Sequence, residues 1–158
     1  MSDESAPHEP RRLVLVVRRT IAADARRLFA AWTRPEQLRS WWGPKGVRCS
    51  AAEVDLRVGG RYRIVNDLPD GAQIVISGAF TTVEAPRRLV YSWAIGPGGG
   101  EPELVPELVT VCFDPLDDGR TQVVVTHERI ASPRLREGHQ AGWDGCLDGL
   151  AAYLAGTN

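Results

Sequence analysis

Hydrophobic residues change their spacing several times along this chain, and each change marks a new element. LVLVVRRT (13–20) is a β-branched run that suits a strand. Behind Asp24, the residues Ala25, Leu28, Phe29 and Trp32 fall at i, i+3, i+4 and i+7, which predicts a short amphipathic helix with an aspartate cap. Thr33-Arg34-Pro35-Glu36 then has the form of a capping box. Leu38, Trp41 and Trp42 carry a second short helix that Gly43-Pro44 ends. From Val47 the period becomes two, and strands are predicted at about 47–55, 60–67, 73–84, 87–95, 104–114 and 120–130. Gly59-Gly60, Asp70-Gly71, Ala85-Pro86 and Asp118-Gly119 punctuate them with short connections, so neighbouring strands run antiparallel. Ser132-Pro133 opens a long last helix with the apolar stripe Leu135, His139, Trp143, Cys146, Leu147, Leu150 and Leu154.

This order predicts an α+β fold in which a curved antiparallel sheet grips one long C-terminal helix. Residues 1–10 are polar and aperiodic and read as a disordered tail, leaving 11–158 as a single domain. Within the last helix, Gly138, Gly142, Gly145 and Gly149 recur at four-three-four spacing. Two readings stand: tolerant surface positions, or close approach to the sheet with room left beneath the helix. The stretch GPGGGEPE (96–103) cannot hold regular structure and is expected to be a mobile flap that gates a cavity.

Strand alternation sorts the faces. Leu89, Tyr91, Trp93 and Ile95 share one side, as do Val123, Val125 and His127, and Ile74, Ile76 and Phe80; these are expected to look inward. Arg88, Ser92, Gln122, Thr126, Glu128, Gln73 and Ser77 oppose them and suit solvent. A ligand cavity between sheet and helix is expected to be lined by Trp42, Arg63, Tyr91, Trp93, Val125, His127, Trp143 and Leu147. Trp41 and Trp42 point about 100° apart on their helix, so one packs as core while the other, assigned as Trp42, reaches the cavity. His127 is a lone imidazole on an apolar face, suited to a hydrogen-bonded structural role or, with substrate in reach, to proton transfer.

Charge and motifs narrow the function classes. The 19 Lys and Arg nearly cancel 20 Asp and Glu, and no basic cluster is interleaved with aromatics, so nucleic acid is not an expected partner. Cys49, Cys112 and Cys146 are odd in number and far apart, which fits reduced thiols in a cytoplasm. No secretory signal and no span of about 20 apolar residues is present, so membrane insertion is not expected. GxSxG, HExxH and phosphate-loop motifs are missing, and His8 and His139 have no ligand spacing with His127, so neither metal nor cofactor is expected. A homodimer is compatible with the sequence.

AAWTRPEQLRSWWGP (30–44), EVDLRVGGRYRIV (53–65), GAFTTVEAPRRLVYSW (78–93), TQVVVTHERI (121–130) and GWDGCLDGLAAYL (142–154) closely resemble the SRPBCC superfamily. Within it they are similar to the branch homologous to the C-terminal domain of the heat-shock-protein-90 ATPase activator. The resemblance implies a helix-grip fold, with six or seven strands around the C-terminal helix, two short helices after the first strand, and a deep apolar cavity. The expected function is binding of a small hydrophobic molecule, cyclic or aromatic. The alternatives are an enzyme of cyclase, isomerase or hydrolase type using His127 as acid/base, and a cochaperone-like module that would need an exposed patch on the outer sheet face.

Overall fold

The computed structural model describes residues 13–44, 46–96 and 106–156. β1 (Leu13–Ile21) leads into α1 (Ala25–Thr33) and α2 (Pro35–Trp41). Six further strands follow: β2 (Arg48–Val54), β3 (Arg61–Asp67), β4 (Gln73–Glu84), β5 (Arg88–Gly96), β6 (Glu107–Pro115) and β7 (Thr121–Ile130). The long helix α3 (Pro133–Ala155) closes the chain. The strands form one open antiparallel sheet in the order β1-β7-β6-β5-β4-β3-β2, so β1 and β2 are its edges. The glycine-rich stretch expected to be a gate lies, beyond Gly96, outside the described residues.

Local chemistry explains the helix ends. Asp24 Oδ1 accepts from the Arg27 amide at 2.8 Å, and Ser132 Oγ accepts from the Leu135 amide at 3.1 Å, so both expected caps form. The capping box at Thr33 does not. Thr33 is still within α1, and its hydroxyl donates back to the Phe29 carbonyl at 2.7 Å, while α2 starts at Pro35 with no side-chain cap. A helical threonine satisfies its hydroxyl on the preceding turn and so cannot cap the next helix.

Packing follows from width. Seven strands at about 4.8 Å spacing make a sheet roughly 29 Å across, whereas one helix with its side chains covers about 10 Å. α3 packs against β1 and β7, α1 against β6, and α2 against β2. The concave side above β3, β4 and β5 is therefore left to side chains and open space instead of helix backbone. Trp32 on α1 is the hub: its ring lies 5.1 Å from Trp41, 5.7 Å from Phe113 and 6.0 Å from Trp143, the last pair stacked at 19°.

The glycines of α3 divide into two kinds. A Cβ on Gly149 would lie 2.7 Å from the Trp41 carbonyl oxygen, so a hydrogen at this position is what lets α3 press against the end of α2. A Cβ on Gly138 or Gly142 would meet nothing within 4 Å. Close approach and open room both occur, on different turns of one helix. Among the described residues no helix is long and apolar enough to cross a membrane.

Candidate functional site

Between the sheet and the first half of α3 lies a cavity of about 190 Å³. Asn66 and Leu68 reach it from β3 and its end, Ile74 and Ile76 from β4, Trp93 and Ile95 from β5, Trp42 from the end of α2, and Gly138, His139, Gly142, Trp143 and Cys146 from α3. These positions follow from pairing register: Asn66 is opposite Ile74, and Ile76 is opposite Ile95, so two neighbouring inward rows, one on β3 and β4 and one on β4 and β5, face the cavity. Ile95 is 43% exposed and Gly138 is exposed, which places the mouth at that end. A second space of about 20 Å³, room for one water, is enclosed by Trp32, Leu38, Trp42, Tyr62, Phe80, Tyr91 and Trp93 among others. The Trp42 and Trp93 side chains border both spaces.

Beside the larger cavity sits a polar cluster that links three elements. Glu107 Oε1 on β6 is 2.7 Å from His127 Nε2 on β7 and 2.9 Å from His139 Nε2 on α3. The two imidazoles stack with centroids 4.3 Å apart and planes 15° apart. Trp143 Nε1 lies 3.0 Å from His127 Nδ1. An indole N–H can only donate, so His127 Nδ1 is an acceptor and the ring proton sits on Nε2, donated to Glu107. Burial pushes the His127 pKa down, which agrees with a neutral ring. For Glu107 burial raises the pKa, but hydrogen bonds from His127 and His139 outweigh it and hold the carboxyl down at about 2.

Glu107, His127 and His139 bring three donor atoms within 4.8 Å of one another, a metal-like grouping. Their hydrogen bonds do not suit a metal. A metal-bound imidazole normally donates its other N–H, whereas His127 accepts at that nitrogen from a group that cannot reverse its role. Ligation through Nε2 would demand an imidazolate or a broken Trp143 bond. Micromolar zinc and EDTA are both expected to leave the melting temperature unchanged. A zinc-induced rise of several degrees would show that Trp143 yields and the three side chains ligate.

The residues expected at the site divide into three groups. Trp42, Trp93 and Trp143 line the large cavity, and Tyr91 lines the small one, where its hydroxyl receives the Trp32 indole N–H at 3.3 Å. Val125 and His127 on β7 and Leu147 on α3 are wholly buried and border neither space, because they lie where the helix covers the sheet. Arg63 must be corrected: it is exposed on the outer face of β3, between the buried Tyr62 and Ile64, and pairs across to Ser77. The spacing argument that separated His139 from His127 is corrected too, since the fold stacks their rings. Trp41 and Trp42 are equally buried, at 4% and 5% exposure. Trp41 is core, with its indole on the Ala31 carbonyl at 2.8 Å, and Trp42 faces the cavity. Asn66, Glu107 and His139 were not among the expected site residues. A period-two count from Val109, Val111 and Phe113 puts Glu107 on the inner face, and Asn66 alternates with Tyr62 and Ile64; both signals were in the sequence.

A sheet wrapped on a long C-terminal helix, with two short helices after the first strand and a pocket between sheet and helix, defines a helix-grip protein. Residues 22–155 match the family model described as activator of Hsp90 ATPase homolog 1-like protein, and the chain belongs to that family. Among solved structures it is similar to a protein from Chromobacterium violaceum, at 26% identity and TM-score 0.77 over 88% of this chain and 94% of that one. It is also similar to the AHSA1 protein from Silicibacter pomeroyi, at 25% identity and TM-score 0.79 over 90% and 98%. A protein from Arthrobacter aurescens with a solution NMR structure shares 27% identity, with TM-score 0.76 over 90% and 86%. No curated protein matches the chain.

Proposed function

We propose that the protein binds a small hydrophobic molecule, cyclic or aromatic, in the space between β3–β5 and α3. The observation that carries this reading is a cavity of about 190 Å³ walled by three tryptophans and sheet aliphatics, with Gly138 and Gly142 on the helix side. An apolar cavity of about 150 Å³ is enough to take up benzene, so the volume suits one ring with few substituents. Glycine at 138 and 142 costs helix stability, about 1 kcal/mol each against alanine, and no packing contact requires it there. Keeping the space open supplies a reason for that cost.

Gly142→Leu tests the reading. Gly142 lines the cavity, and a Cβ there would meet nothing within 4 Å, so a leucine has room to take up cavity space, and the better helix former is expected to fold and to melt no lower than the parent. Native mass spectrometry of the parent from its own host is expected to show a bound small molecule, and the variant is expected to have lost it. Equal occupancy in a folded Gly142→Leu, or no adduct on the parent, would overturn the proposal. Acid/base chemistry through His127 lacks support from its surroundings, because the ring is fully buried, lines neither of the two spaces and has both nitrogens engaged.

A further inference from the structure

The structure assigns the size limit of the site to Trp42, whose ring is part of the partition between the cavity of about 190 Å³ and the neighbouring space of about 20 Å³, so that the occupant is held to one ring. This rests on the cavity-binding reading and names the residue that sets which molecules the same site takes. Among the described residues, Trp42 and Trp93 are the two that line both spaces. Their ring centroids lie 6.4 Å apart, within the range of an aromatic pair, so the two indoles together stand as a wall between the two volumes.

Of the two, Trp42 is the one whose ring can be removed with the frame left in place. Trp93 comes from β5 in the middle of the sheet, and its ring lies 5.0 Å from His127 and 6.0 Å from His139, so it also supports the cluster around Glu107. Trp42 ends α2 through its backbone, with its amide donating to the Leu38 carbonyl at 2.9 Å. Gly43 follows at φ 114°, and a Cβ there would lie 2.9 Å from the Val47 carbonyl oxygen. The direction of the chain at this corner is therefore fixed by Gly43 and a backbone hydrogen bond, which a change of the Trp42 side chain leaves intact.

Behind the partition, the walls already suit a second ring. Leu38, Val54, Ile64 and Phe80 line the smaller space together with Tyr62 and Tyr91. Loss of the Trp42 indole would join the two volumes into one longer apolar slot, from Ile95 at the mouth to Tyr91. Full burial of a second ring is worth roughly tenfold to a hundredfold in affinity, so the partition can be read from ligand size alone.

The test is equilibrium dialysis of the full-length protein against toluene and biphenyl, for the parent, Trp42→Ala, the milder Trp42→Leu, and Trp42→Ala combined with Ile64→Phe. On the parent, biphenyl is expected to bind no more than about threefold more tightly than toluene, because its second ring finds no enclosed space. In Trp42→Ala the biphenyl-to-toluene affinity ratio should rise at least about tenfold above the parent's, and in Trp42→Leu by a smaller factor in the same direction. Ile64→Phe refills the space behind the partition, so in the double variant the ratio should return to within about threefold of the parent's. A parent that takes biphenyl more than threefold more tightly than toluene overturns the inference and leaves cavity binding intact. A ratio unchanged in a folded Trp42→Ala does the same, as does a gain that survives Ile64→Phe, since the extra room would then lie elsewhere. If toluene and biphenyl both fail to bind the parent, this inference and the reading beneath it fall together. Where no variant folds, the comparison of the two ligands on the parent decides.

Discussion

Trp32→Ala is expected to lower the unfolding free energy by about 3–5 kcal/mol, a large share of the roughly 5–15 kcal/mol that holds a domain together. Trp32 is 4% exposed and touches four aromatic rings from three other parts of the fold: Trp41 and Trp42 at α2, Phe113 on β6 and Trp143 on α3. Its loss opens a void where α1, α2, α3 and the sheet meet. It also removes the donor to the buried Tyr91 hydroxyl, so a packing loss and a hydrogen-bond loss fall at one position. Trp42→Ala should cost less, because the Trp42 ring already borders open space on the cavity side. Urea midpoints at constant m-value measure both. Equal losses, or a Trp32→Ala cost under about 2 kcal/mol, would mean that the cluster repacks around the gap and that Trp32 is not its hub.

The order of elements was legible because each carries a local signal. Asp24, Ser132 and the period change at Val47 mark boundaries that agree with the structure to within a residue or two. Alternation also separates inner from outer faces, and the same rule shows why Arg63 fails as a site residue: it stands one position from Tyr62 and Ile64, which face in. The sequence pattern does not tell which inward residues border a cavity and which are closed core. That depends on where α3 crosses the sheet. Since the helix lies against β1 and β7, the inward residues of β7, Val125 and His127, are covered, while Asn66, Ile76 and Trp93 on β3–β5 face the remaining space. The cluster of Glu107, His127 and His139 was hidden for a related reason, because its members come from β6, β7 and α3 and converge only after the sheet coils under the helix. Residues 20 and 32 positions from Glu107 leave no spacing motif.

That cluster should also govern how the fold meets acid, and Glu107→Gln is expected to remove one part of the response. In the folded protein the Glu107 carboxyl titrates at about 2 against an ordinary 4.5, so the unfolded chain takes up the proton first. Stability from this group is therefore complete above about pH 4.5 and is lost as the pH falls from there towards 2. A displacement of this size corresponds to about 3 kcal/mol at full burial, and to roughly 2 kcal/mol after allowing for solvent at the rim of the cluster. His127 acts in the same direction at higher pH. Burial lowers its pKa from an ordinary 6.5, so below 6.5 the unfolded chain binds a proton that the folded one refuses, and stability falls. Trp143 reinforces this, since its N–H already occupies the nitrogen that a second proton would need. The glutamine amide oxygen can still accept from both histidines, so the variant should fold, less stable near neutral pH by roughly 2 kcal/mol and flat across the lower window. The loss beginning below 6.5 should remain, because His127 is still buried and still faces an indole donor. Urea midpoints of parent and variant from pH about 7 down to about 2.5 separate the two windows. A variant that keeps the parent's slope between 4.5 and 2 would place the acid response in other carboxylates and leave Glu107 as a neutral spacer between two imidazoles.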